Sequence, residues 1–432
     1  MTPRAALLAC TFLTAATLTA ADWPGFRGPN RDGISTETGL LKKWPDAGPP
    51  LAWTAKNLGL GWGTPSVADG KIYGLGLRDG KDGVWALNEA DGKELWFTPF
   101  ADPATKLLGQ TNGPASTPTF HNGKLYSVSA NGTLSCMEAT TGKLAWKKSY
   151  VDDYGGKVPA WAYTDSVLAD GDVVVGVPCG SKATVVALSA GTGEEVWKST
   201  LPAVGGGYGY SSAVKATMGG VPMYVVLLGS DSGLVGLDAK TGKLLWQYKG
   251  KPAAGGVAQI PIPIVKDEKV WVSTSYAGGS ALLQIAPKGA GGFEAKELKA
   301  YKKPDLNNHH GGMVLVGDYI YFGHDQKQGN PVCVEFKTGE IKWGPEKPPA
   351  GGVGSAAVLS ADGRLYFRYE NGTMVLVEPS PEDLKVVSSF KLPPPDVKSY
   401  SQSWPHPVIA NGKLYLRDQN LLHCYNVQAA GN

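Results

Sequence analysis

The sequence predicts an all-β fold, an eight-bladed β-propeller of four-stranded antiparallel blades, closed by an N-terminal strand that completes the last blade. Three observations carry this. Of 432 residues, 58 are Gly and 31 are Pro, about one in five, which leaves few stretches fit for long helices. The 13 Trp and 18 Tyr lean towards strands. Above all, the chain repeats itself with a period near 50. Five segments end alike: ALNEADGKELW at Trp96, CMEATTGKLAW at Trp146, ALSAGTGEEVW at Trp197, GLDAKTGKLLW at Trp246 and CVEFKTGEIKW at Trp343, spaced 50, 51, 49 and 97 residues apart.

Taken in order, residues 1–21 read as a secretory signal, with Arg4, an apolar run and small residues before cleavage near Ala20 or Ala21. A periplasmic or secreted protein is therefore expected. LLAC at 7–10 loosely resembles a lipoprotein site, but too few apolar residues precede Cys10, and lipid anchoring there is not expected. Residues 22–50 are an N-terminal extension, and 51–428 are one propeller domain. Within it, eight tight turns follow short apolar strands: VADGKIY, FHNGKLY, LADGDVV, TMGGVPM, VKDEKVW, LVGDYIY, SADGRLY and IANGKLY, starting at residues 69, 122, 170, 219, 267, 317, 362 and 411. Asp-Gly and Asn-Gly pairs between apolar runs are strong hairpin signals because both central residues take positive φ. Each repeat reads as strand, tight turn, strand, loop, strand, Thr-Gly or Asp-Gly turn, then the strand with Trp. The repeat missing between Trp246 and Trp343 is placed at FEAKELKAYKK around Leu298, and a further degenerate one at Phe390 in KVVSSFKL. The last blade has three strands over 402–426, and Trp53 in PPLAWTAK supplies its fourth, leaving no exposed inner edge.

A small residue (Ala86, Cys136, Ala187, Gly236, Cys333) followed ten positions later by Trp, with Thr-Gly or Asp-Gly between, resembles the pyrroloquinoline-quinone (PQQ)-type propeller repeat, also called the tryptophan-docking repeat. The resemblance covers essentially the whole chain after residue 21, and DWPGFRGPNRDGIS also looks like the stretch preceding such propellers. It implies that Trp53, Trp96, Trp146, Trp197, Trp246 and Trp343 dock between blades. The family holds quinoprotein dehydrogenases, which bind PQQ and usually Ca²⁺, and cofactor-free relatives similar to BamB, of the outer-membrane β-barrel assembly machinery. Cys136 and Cys333, and Cys424 in the same phase, read as small buried hydrophobes rather than disulfide partners.

A net charge of +3 without any run of five like charges excludes a basic nucleic-acid surface. Function in a propeller gathers where the loops entering the innermost strands and the middle loops of each blade meet over the channel. The entering loops, with one middle loop, carry Trp62, Gln110, Asn112, Trp161, Tyr163, Tyr208, Tyr210, Gln259, His309, His310, His324, Trp404 and His406. Flat aromatics and amides on a Gly-rich funnel suit a planar cofactor, a sugar ring or a peptide. The histidines show no metal-spacing signature, so no metal is expected. PQQ, an anion, needs cations and a carboxylate base. The carboxylates in reach are Asp165, Asp325 and Glu370, and the cations Arg78, Lys182, Arg368 and Arg417, scattered singly. No catalytic residue can be carried over from the dehydrogenases. The expectation is a monomeric, non-catalytic module for a protein or peptide ligand without a cofactor, its alternatives a PQQ-dependent oxidoreductase of alcohols or sugars and a carbohydrate-binding propeller.

Overall fold

The computed structural model describes residues 21–105, 107, 113–201, 210–229, 231–255, 259–289, 291–394 and 402–429. Among them the strands form eight sheets, seven of four strands and one of five. The chain is an eight-bladed propeller, and its described helix is confined to Lys251–Ala254 and a 3-10 turn at Pro349–Gly351. No helix among the described residues is long and apolar enough to cross a membrane.

Each blade opens with a hairpin that the local residues dictate. In blade 1, Ser66–Ala68 turns through Asp69-Gly70 into Lys71–Arg78, and both turn residues have positive φ, 51° and 67°. Asn122-Gly123, Gly219-Gly220, Asp362-Gly363 and Asn411-Gly412 repeat this. In blade 3 Asp170 pairs with Val173, so the turn starts at Gly171, one residue later than LADGDVV predicts.

The fourth strands explain the period. Each repeat Trp stands directly across from the small residue ten positions earlier: Trp96 opposite Ala86, Trp146 opposite Cys136, Trp197 opposite Ala187, Trp246 opposite Gly236 and Trp343 opposite Cys333. Indoles then reach the following blade. Trp146 Nε1 donates to Ala190 O at 3.2 Å, Trp197 Nε1 to Ala239 O at 3.2 Å and Trp343 Nε1 to Ser380 O at 2.8 Å. A Cβ on Gly142 would come within 2.6 Å of Trp96 in the preceding blade. All four described cysteines are buried and free.

Two blades depart from the pattern. In blade 5 Leu298 is bulged out and Lys299 faces Leu282; in blade 7 Ser388 faces Leu376. Lys299 and Ser388, rather than Leu298 and Phe390, thus hold the tryptophan register: Leu298 is the bulged residue itself, and Phe390 pairs with Met374, two positions further along. In blade 7 the missing ring comes from the N-terminal extension. Trp44, fully buried, donates its backbone N–H to Ser388 Oγ at 2.9 Å and packs on Phe390 and Tyr366, at 5.1 and 5.6 Å between centroids.

Closure works as the orphan strand implies. Leu51–Ala55 pairs antiparallel with Leu421–Asn426, Trp53 opposite Cys424. The preceding segment does more than lead in, since residues 23–35 run across the ring. Trp23 exchanges two backbone hydrogen bonds with Val67 of blade 1, and Pro24 O accepts from Phe120 of blade 2. Arg31 donates to Ser166 O and Val167 O of blade 3. Arg27 donates to Met313 O of blade 6 and Val358 O of blade 7. Ile34–Ser35 adds a parallel fifth strand to blade 7, and Ser35 Oγ donates to Ile409 O of blade 8. Phe26 packs on the core shared by blades 4 and 5. This strap spans the channel and closes it on one side.

Candidate functional site

The loops leading into the first strands gather around a cavity of about 380 Å³. Seven rings from six blades form a continuous arc on its wall. Trp62 and Trp404 stand 4.6 Å apart between centroids, Trp404 and His310 5.3 Å, and His310 and His309 4.7 Å. The arc goes on from His309 to Tyr276 at 5.4 Å, Tyr276 to Trp161 at 6.3 Å, and Trp161 to Tyr210 at 6.0 Å. Phe26 on the strap meets His406 at 5.3 Å and covers the inner end.

Backbone geometry aims these rings. Ala162 holds φ at 68°, which turns the chain so that Trp161 lines the cavity while Tyr163 enters the core between blades 2 and 3, donating to Pro178 O at 3.0 Å. Tyr276 itself sits at φ 59°, and Asp325, beside the lining residue Gln326, at φ 70°. Left-handed backbone is uncommon outside Gly and gathers at sites that need special geometry.

The polar groups are fixed by their partners. His406 Nε2 faces the carbonyl of His310 at 2.9 Å and must donate, so its Nδ1 accepts from Arg27 at 3.4 Å. Ser355 Oγ gives its one proton to Gln326 O at 2.9 Å and therefore accepts from His309 Nδ1 at 2.7 Å. His309 Nε2 is left as an acceptor, facing the Tyr276 hydroxyl at 3.1 Å. Burial pushes His309 and His406 well below the ordinary imidazole range, so both are neutral at neutral pH. His310 Nε2 lies 3.6 Å from Glu370 Oε1. Burial alone would raise the Glu370 carboxyl, but His310 and the Trp404 indole outweigh it and hold the group below its usual value.

Seven of the thirteen residues nominated from sequence meet at this cavity: Trp62, Trp161, Tyr210, His309, His310, Trp404 and His406. Three others do not line it. Tyr163 is in the core, Gln259 is buried with its Nε2 donating to Gly255 O at 3.0 Å, and His324 Nδ1 accepts from Asn307 N at 3.0 Å. Gln110, Asn112 and Tyr208 lie outside the described residues. Sequence reasoning missed Phe26, Tyr276 and Gln326. Phe26 precedes the repeat, and the other two are on middle loops, which are expected at the channel mouth but from which the sequence nominates only His324.

The scattered charges are used elsewhere. Arg368 Nη1 donates to Pro405 O at 2.8 Å and Arg417 Nη1 to Gly63 O at 2.9 Å, both fully buried. Arg78 pairs with Glu94 at 2.6 Å, and Lys182 Nζ donates to Asp152 O at 3.1 Å. Asp165 accepts from the Tyr150 hydroxyl and Val177 N, each at 2.9 Å, beneath the loops. The described lining of the cavity contains no Lys or Arg. Although the sequence shows no metal spacing, the fold brings donor atoms of His309, His310 and Glu370 within 4.8 Å of one another.

Known proteins share this architecture. A family model described as outer membrane protein assembly factor BamB matches residues 80–345. Tetrathionate hydrolase of Acidithiobacillus ferrooxidans is 27% identical over 300 residues, 68% of this chain and 46% of that protein. Outer membrane protein assembly factor BamB of Kangiella koreensis is 28% identical over 222 residues, 51% of this chain and 50% of that one. The chain thus spans about half the length of these curated relatives. Among solved structures, BamB from Moraxella catarrhalis superposes with a TM-score of 0.57 at 13% identity, covering 88% of this chain and 98% of that one. A europium-containing methanol dehydrogenase gives 0.63 at 14% identity, covering 92% and 89%. At such identities the structural likeness is one of fold. With the repeat, the eight blades and the family match in agreement, the chain belongs to the BamB-like family of PQQ-type β-propeller repeat proteins.

Proposed function

We propose that this protein is a non-catalytic binding propeller of the periplasm or extracellular space, whose cavity receives an apolar or aromatic side chain from a peptide segment of a protein partner. The observation that carries the reading is the arc of seven rings over a strapped channel. It offers a largely aromatic wall with few polar groups, the character of a site that anchors one bulky side chain. A cavity of about 380 Å³ suits an indole or phenol with its adjoining backbone. The match to an outer membrane protein assembly factor and the signal-like residues 1–21 support an exported scaffold role of this kind. The lining does not fit PQQ. An anionic quinone wants cations and Ca²⁺ wants carboxylate oxygens, and the described lining has no Lys, Arg, Asp or Glu.

The test is a peptide library rich in Trp, Tyr and Phe, read by fluorescence anisotropy against the full chain. Micromolar binders are expected, weakened at least about 30-fold by Trp161→Ala or Trp404→Ala. Binding untouched by both substitutions would overturn the reading. So would turnover of alcohols or aldoses after loading with PQQ and Ca²⁺, or a glycan-array signal that disappears with Trp161→Ala while peptides fail to bind.

A further inference from the structure

The structure assigns a second capacity to this cavity: His309, His310 and Glu370 form a three-donor site for one divalent transition metal of the zinc class, its remaining position open to the cavity. Three features carry it. First, the three donor atoms come from two blades yet lie within 4.8 Å of one another. His310 Nε2 and Glu370 Oε1, at 3.6 Å, already approach the roughly 3.3 Å edge of a tetrahedral site with bonds of about 2.0–2.1 Å.

Second, His309 is held as a ligand needs to be. Its Nδ1–H is committed to Ser355 Oγ, and Ser355 in turn to Gln326 O, so the lone pair is on Nε2. An outer hydrogen bond that fixes tautomer and ring orientation is the support metal-binding imidazoles commonly have. The Tyr276 hydroxyl now facing Nε2 is a displaceable partner. Third, the neighbouring histidine is excluded by the same reasoning. His406 spends Nε2 on the His310 carbonyl and Nδ1 on Arg27, so the donor set stops at three. Two imidazoles with one carboxylate select zinc-class ions over Ca²⁺, which takes six to eight oxygens. The open position would accept a carboxylate or imidazole of whatever enters, but the metal site does not depend on the peptide reading.

The full chain, stripped with chelator and dialysed, is titrated with Zn²⁺ by calorimetry and with Co²⁺ by visible absorption. One ion per chain is expected, with d–d bands of a low-coordinate nitrogen–oxygen site and a raised melting temperature. Glu370→Gln, which keeps the side-chain size, and His310→Ala should each lower affinity at least about 10-fold. Ser355→Ala should lower it less, and His121→Ala, on the exposed hairpin between the first two strands of blade 2, should leave it unchanged. Substoichiometric uptake by the wild type, or wild-type affinity in both ligand variants, would overturn the assignment. Circular dichroism of Glu370→Gln separates a lost site from a lost fold. Trp161→Ala separates the two proposals, because it should weaken peptide binding at least about 30-fold and retain the metal.

Discussion

Asp82 shows what burial does to a single side chain in this ring. It is fully buried, Oδ2 accepts from Ala130 N at 2.9 Å, and Oδ1 has no hydrogen-bond partner among the described residues. Burial pushes its carboxyl up to about 7. A folded value above the unfolded one means that the folded chain holds the proton longer, so Asp82 favours folding in acid and loses that advantage as pH rises through about 7. Asp82→Asn should therefore be near neutral or harmful at pH 5 and relatively favourable at pH 8, a swing of order 2 kcal/mol in urea melts. A swing of the opposite sign would refute the assignment. Gly142 carries a different constraint, with φ at 69° and no room for a Cβ against Trp96. Gly142→Ala should cost about 2–4 kcal/mol in the same assay. At the cavity, the rings on entering loops were legible as residue types at one phase of the period. Tyr276 was not, because its place depends on a left-handed turn in a middle loop.

Among elements, the N-terminal extension is where sequence reading gained least. As a stretch outside the repeat it offers no phase, yet it lays Phe26 on the cavity, Arg27 and Arg31 on backbone carbonyls, and Trp44 on blade 7. Trp44 supplies the ring that blade 7 lacks, since Ser388 occupies the tryptophan register there. Trp44→Ala should cost about 3–5 kcal/mol, the range for emptying a buried indole site. A fall in melting temperature no larger than that from a surface substitution such as Val196→Ala would count against the substitution of one ring for another. The degenerate strands misled for a physical reason. A bulge precedes the tryptophan position in the fourth strands: Leu298 is itself the bulged residue, whereas Phe390 faces Met374, two positions past the tryptophan register that Ser388 holds.

For the whole molecule, closure is the deciding event. Leu51–Ala55 covers the edge of Leu421–Asn426 across nearly the full length of the chain, and the strap ties the same ring from within. A chain starting at residue 57 would lose both and expose an unpaired strand edge. Such a truncation should self-associate in light scattering and melt over a broad, low-temperature range, whereas the full chain should melt in a single cooperative transition. A monomeric truncation with unchanged melting would show that closure contributes little.

What the sequence determined by itself is whatever repeats: eight blades, their hairpins, the small residue opposite each Trp and the loops that carry rings. A period is a statement about local geometry, and local geometry recurs wherever the same residues recur. What only the tertiary structure decided is whatever joins segments far apart in the chain. The strap, the borrowed Trp44, the continuity of the ring arc and the meeting of His309, His310 and Glu370 all rest on contacts between different blades or between a blade and the extension. Spacing along the chain fixes which blade a residue sits in, but the distance between side chains on facing loops is set by how the ring closes, and no period encodes it.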